Sequence, residues 1–141
     1  MIKRKKNKKI NGLSREDEIW LVFDVDDFLK QNPKKFESAI KNAEEHGLKI
    51  AWSNECFELW FLLHFQCVDS NIPRKNYHTQ LSKNLKKLSF DYSKNRNIKT
   101  LFEICKRLEE NAVKNATKID EGKISKNPST KIYELIKKLN E

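Results

Sequence analysis

Asp24 and Asp26 stand one residue apart at the end of the apolar run Ile19-Trp20-Leu21-Val22-Phe23, and Asp27 follows them. On a strand, carboxylates at i and i+2 point to the same face. Two such groups repel each other unless a proton or a cation lies between them. Hard oxygen ligands at this spacing suit Mg2+ or Mn2+. An acidic turn that ends a strand and caps the next helix would use the same residues. Position directly after a buried run is what favours the metal reading.

A second set lies in Ser53-Asn54-Glu55-Cys56-Phe57-Glu58-Leu59-Trp60. Glu58 is flanked by Phe57, Leu59, Trp60, Phe61, Leu62 and Leu63. A carboxylate in such a stretch is costly unless it is paired, metal-bound or turned to water. Ser53 or Asn54 would serve equally well as a helix cap. His64, in the same apolar run, reads first as a hydrogen-bonded core residue and only then as a ligand or base. A third set is Tyr92-Ser93-Lys94-Asn95 together with Lys126-Asn127-Pro128-Ser129-Thr130. Lys94 beside a metal would neutralise phosphate charge, although a lysine in so Lys-rich a chain is ordinarily just solvated.

The elements that must position these residues follow from patterning. The run 19–23 is short, β-branched and aromatic, and reads as a fully buried strand. Pro33 to His46 has helical spacing, with Phe36, Ile40 and Ala43 on one face and Gly47 as the stop. Leu48 to Trp52 is a second strand, so strand, helix and strand form a βαβ unit with parallel pairing. Both strands then end in polar residues at one carboxyl edge, where ligands bind in open α/β sheets. Cys56 to Phe65 reads as an apolar helix. From Asn76 the pattern is helical, with stripes Leu81-Leu85-Leu88 and Ile98-Leu101-Phe102-Cys105-Leu108, the latter extended by Ala112 and Ala116. Residues 117–128 read as a loop. A last helix carries Ile132, Leu135, Ile136 and Leu139, capped by Ser129 or Thr130.

At 141 residues with 38% hydrophobic content, the chain can build one domain but not two. The expected division is a basic, polar segment over 1–16, then one domain over 17–141. That domain has an α/β core at 17–70 and a helical C-terminal portion at 71–141. Charged residues make up 35%, and Lys+Arg 29 against Asp+Glu 20 gives a net charge of +9. Such a balance attracts polyanions, nucleic acid first among them; solubility in a Lys-rich proteome is the plainer account. Cys56, Cys67 and Cys105 form no CxxC pair, which argues against an ordinary zinc site and for a reducing compartment. No apolar run is long enough to cross a bilayer and no secretory signal is present, so the cytoplasm is expected and a membrane partner is not.

Four motifs in order resemble the RloB-like proteins of bacterial defence loci. Trp20-Leu21-Val22-Phe23-Asp24-Val25-Asp26-Asp27-Phe28 is similar to their VWxVFDxDDF segment. Ala51 to Phe65 resembles SNPxFExWxLLHF, with Glu55 where the family usually has proline. Tyr92 to Lys94 resembles YxK, and Asn127 to Thr130 resembles NPST. The resemblance implies a Toprim-like core and a Mg2+- or Mn2+-dependent nuclease acting on DNA or RNA in defence against phage or plasmids. It also implies an ATPase partner of the OLD or RloA type, and an oligomer is compatible with it. Asp24 and Asp26 would bind metal, Glu58 would complete or orient the metal shell, and Lys94 would contact phosphate. Asp27, Ser53, Asn54 and His64 would edge the site. The family also implies an N-terminal strand with a metal-binding glutamate in an EGxTE-like segment, and nothing before Trp20 resembles it. The expectation is therefore a truncated homologue or a fragment that binds metal weakly by itself. The alternative function is a non-catalytic subunit that docks the ATPase.

Overall fold

The computed structural model describes residues 17–92 and 97–141. Strand β1 (Trp20–Asp24) leads through a short helix α1 (Phe28–Gln31) into α2 (Pro33–Glu45), and strand β2 (Lys49–Asn54) returns beside β1. The two strands are parallel, with Trp20 opposite Lys49 and Asp24 opposite Ser53. This is the expected βαβ unit. Asn32 starts α2 by accepting from the Lys35 amide, Pro33 occupies the first turn where no amide hydrogen is needed, and Gly47 at φ +81° turns the chain out of the helix. Phe36 meets Phe23 edge-on, ring centroids 6.1 Å apart, so α2 lies over one face of β1.

The first strand is not fully buried. Leu21 and Val22 are 39% and 47% exposed, because among the described residues β1 is the outer strand of the sheet order β1-β2-β3 and no residue of α2 is fully buried. An apolar run marks a strand, but its depth depends on neighbours that the run does not encode. The central strand β2 carries the burial instead: Ala51, Trp52, Ser53 and Asn54 are all buried.

After β2 the chain forms α3 (Glu58–Leu63), α4 (Arg74–Lys86) and α5 (Ile98–Ile119), then the two-residue strand β3 (Ser129–Thr130) and α6 (Ile132–Leu139). Helix α3 is shorter than expected and excludes Cys56. Helix α5 runs into the segment read as a loop and stops at Ile119. The NPST segment supplies a strand where only a cap was foreseen. Ser129 pairs with Asn54 and Thr130 with Ser53, antiparallel. Thr130 also does the capping job, since its Oγ1 accepts from the Ile132 amide at 3.2 Å.

Among the described residues, two clusters form the core. One joins β2, α3 and the C-terminal elements through Ala51, Leu59, Leu62, Leu63, Tyr77 and Ile132; the other joins α4 to α5 through Leu81, Leu85, Phe90 and Ile104. The α5 stripe read from sequence is split. Leu101, Ile104 and Leu108 face the core, whereas Ile98 and Phe102 are 78% and 65% exposed. At 3.6 residues per turn those two lie roughly 60–100° round the helix from Leu101, outside the covered stripe. Leu88 and Leu139 are exposed as well.

A polar clamp ties the end of α5 to the start of α6. Lys131 Nζ donates to Asp120 Oδ2 at 2.7 Å and to Glu134 at 3.0 Å; Tyr133 OH donates to the same Asp120 oxygen at 2.5 Å, and the Gly122 amide to Oδ1 at 2.7 Å. Burial alone would raise the Asp120 carboxyl, but these donors outweigh it and hold the group below the usual carboxylate range. A carboxyl depressed in the folded state stabilises above its unfolded pKa, and loses that contribution as pH falls through the folded one. Asp120→Asn is therefore expected to cost about 2 kcal/mol near neutrality. The gap to wild type should close as the pH drops below about 4. Urea denaturation at several pH values checks this; a gap that does not depend on pH would refute the assignment.

Among the described residues no helix is long and apolar enough to cross a membrane.

Candidate active site

The carboxyl ends of the parallel strands place Asp24 beside Ser53, and the chain beyond each end is tied across. The Val25 amide donates to Ser53 O at 2.9 Å, and the Asp26 amide donates to Glu55 O at 3.0 Å. Asp26 lies past the strand, at φ +48°, a left-handed conformation that aspartate tolerates better than most side chains. Strand alternation thus does not aim Asp24 and Asp26 the same way. A turn does so, pinned to the loop after β2.

Both aspartates converge on one cation. Arg74, the first residue of α4, sets Nη1 against Asp26 Oδ1 and Nη2 3.7 Å from Asp24 Oδ2. Asp26 Oδ1 is shielded from water and makes no hydrogen bond of regular geometry. The Asp24 carboxyl is raised, first by burial and next by the charge of Glu58; Arg74 and the Phe57 amide pull it the other way. Glu58 is half-buried, at the start of α3, and hydrogen-bonds the Cys56 thiol. Burial first and Glu58 second push that thiol up to about 12, so Cys56 stays protonated and inert at neutral pH. Tyr92 lies close enough to Glu58 for the glutamate to raise its hydroxyl, after burial, and its ring packs on His78 with centroids 5.3 Å apart.

The other candidates divide. Ser53 is at the edge through its backbone, but its hydroxyl is buried against Thr130 Oγ1 at 2.9 Å. Asn54 donates to Ile124 O at 2.9 Å, holding the loop before β3. Asp27 is turned to solvent, 3.5 Å from Lys30. His64 is a core residue: 2% exposed, Nδ1 2.9 Å from Trp60 O, its pKa lowered by burial, and its ring edge-on to Trp60. It makes no contact with the aspartates. Lys94 lies outside the described residues, as does the basic segment 1–16. Arg74 is the residue that sequence reading missed. Its only signal was chemical: arginine is scarce in a chain whose cations are nearly all lysine.

Two carboxylates brought to one strand edge beside a half-exposed arginine fit a hydrated Mg2+ ion, which takes one or two carboxylates and keeps several waters. They do not make a closed cage. Among the described residues no three His, Cys, Asp or Glu side chains converge as a metal cluster.

The family model for the RloB-like protein matches residues 1–139. The chain belongs to the RloB-like family. No curated protein and no solved structure matches it. In this RloB-like chain the two most characteristic segments, at 20–28 and 51–65, meet at one sheet edge. The NPST segment pairs with the second of them as β3.

Proposed function

We propose that this RloB-like protein is a divalent-metal-dependent phosphodiesterase that cuts nucleic acid in bacterial defence against phage or plasmids. The observation that carries the reading is the convergence of Asp24 and Asp26 on a single cation at the carboxyl edge of the parallel pair. A structural acidic turn has no need to gather a second carboxylate beside Asp24, which burial and Glu58 already make costly to ionise.

In this reading Asp24 and Asp26 hold Mg2+ or Mn2+, and Glu58 orients Asp24 across the site. The ion, when bound, supplies polarisation of a phosphoryl oxygen and a water of lowered pKa. The Phe57 amide fixes one Asp24 oxygen by hydrogen bonding. Lys94 contributes charge for substrate phosphate. The net charge of +9 favours a polyanionic substrate, and the cytoplasm is where that substrate would be met.

A second reading, a non-catalytic subunit that docks an ATPase, draws on the lack of a third converging ligand among the described residues. A supercoiled-plasmid nicking assay separates the two. Weak nicking that requires Mn2+ and disappears with EDTA is expected of the enzyme. Plasmid left intact at millimolar Mn2+ would favour the docking role.

A further inference from the structure

We propose that Arg74 is a built-in counter-cation: it holds the Asp24 and Asp26 carboxylates when no divalent ion is present, is displaced when one binds, and then grips substrate phosphate. The inference rests on the metal reading given above and extends it to a residue outside the four resembled motifs.

The geometry makes the two cations alternatives. One guanidinium nitrogen lies against Asp26 Oδ1 and another is 3.7 Å from Asp24 Oδ2. A divalent ion held by the same two carboxylates would compete with the guanidinium for them. Arginine stays charged at every accessible pH, so it cannot be silenced by losing a proton and must move instead. It has the freedom to do so. Its side chain is 51% exposed, whereas each aspartate it touches is 29% exposed. Its backbone is the first turn of a 13-residue helix that follows Pro73, so only the side chain need swing. The destination follows from chemistry. A guanidinium released at the rim of a metal site presents a planar fork of donors, which matches phosphate oxygens better than a lysine does. Tyr77, one turn on, is fully buried in the main core and anchors α4 while Arg74 moves.

The tests use the full 141-residue chain. In calorimetric Mn2+ titrations, Arg74→Gln is expected to bind roughly two- to fivefold more tightly than wild type, the scale set by removing one partly exposed competing ion pair. Asp24→Asn should lose binding. On the wild-type protein, the Arg74 Nε–Hε NMR signal, assigned by its absence in Arg74→Gln, should shift as Mg2+ is added and stay fixed in Asp24→Asn. Binding of a phosphorothioate oligothymidylate should then change sign with metal. In EDTA, Arg74→Gln should bind no more weakly than wild type; with Mn2+ it should bind roughly two- to fivefold more weakly. Equal weakening in both conditions would show a permanent phosphate contact and overturn the displacement. Mn2+ affinity lost in Asp24→Asn but unimproved in Arg74→Gln, or an Arg74 signal unmoved by Mg2+, would sink this inference and leave the metal site standing. Mn2+ binding that survives Asp24→Asn would overturn the metal reading and this inference together.

Discussion

Asp24→Asn is expected to remove Mn2+ binding and to lower metal-dependent cleavage by on the order of a hundredfold or more, with the fold intact. Asparagine keeps the shape of the side chain and its hydrogen bond from the Phe57 amide. It loses the charge that a hard cation needs. The same change removes a carboxyl that burial and Glu58 make unfavourable to ionise. Folding stability should therefore stay level or rise slightly. Arg74 keeps Asp26 as its partner. Calorimetry with Mn2+ beside a urea melt reads both sides at once. Lost cleavage together with a stability drop of several kcal/mol would mean that Asp24 supports the fold and not the chemistry.

The second large effect is on folding. Leu59 is fully buried in the main core, next to Glu58 in the chain. Truncation to alanine removes its packing and leaves a cavity, so Leu59→Ala is expected to cost about 3 kcal/mol. That is a large share of the 5–15 kcal/mol typical of a whole domain. Phe102→Ala is the control. Phenylalanine is the larger residue, yet Phe102 is 65% exposed, and its loss should stay within about 0.5 kcal/mol. Equal costs at the two positions in urea denaturation would mean that the covered face of α5 has been misplaced.

The βαβ unit was legible in the sequence because its signals are local. The strands are short apolar runs, Asn32-Pro33 opens α2 and Gly47 closes it. Parallel pairing then follows from strand, helix and strand in that order. The position of Asp24 beside Ser53 comes with it. So does family membership, since four motifs in order resist accident better than any one of them. His64 as a core residue was also readable from its apolar neighbours.

What only the tertiary structure decided involves contacts between distant parts of the chain. The exposure of Leu21 and Val22 depends on which strand is outermost. Ser129-Thr130 is a strand only because β2 offers it an edge; two residues carry no periodicity to read. Asp26 reaches its place by a left-handed turn and an amide bond to Glu55, not by strand alternation. Arg74 joins the aspartates from some fifty residues away in the chain, across α2, β2 and α3. Local propensity sets which residues are helical or extended, but the meeting of two carboxylates with one guanidinium is a matter of packing, and packing is settled only when the helices close on the sheet.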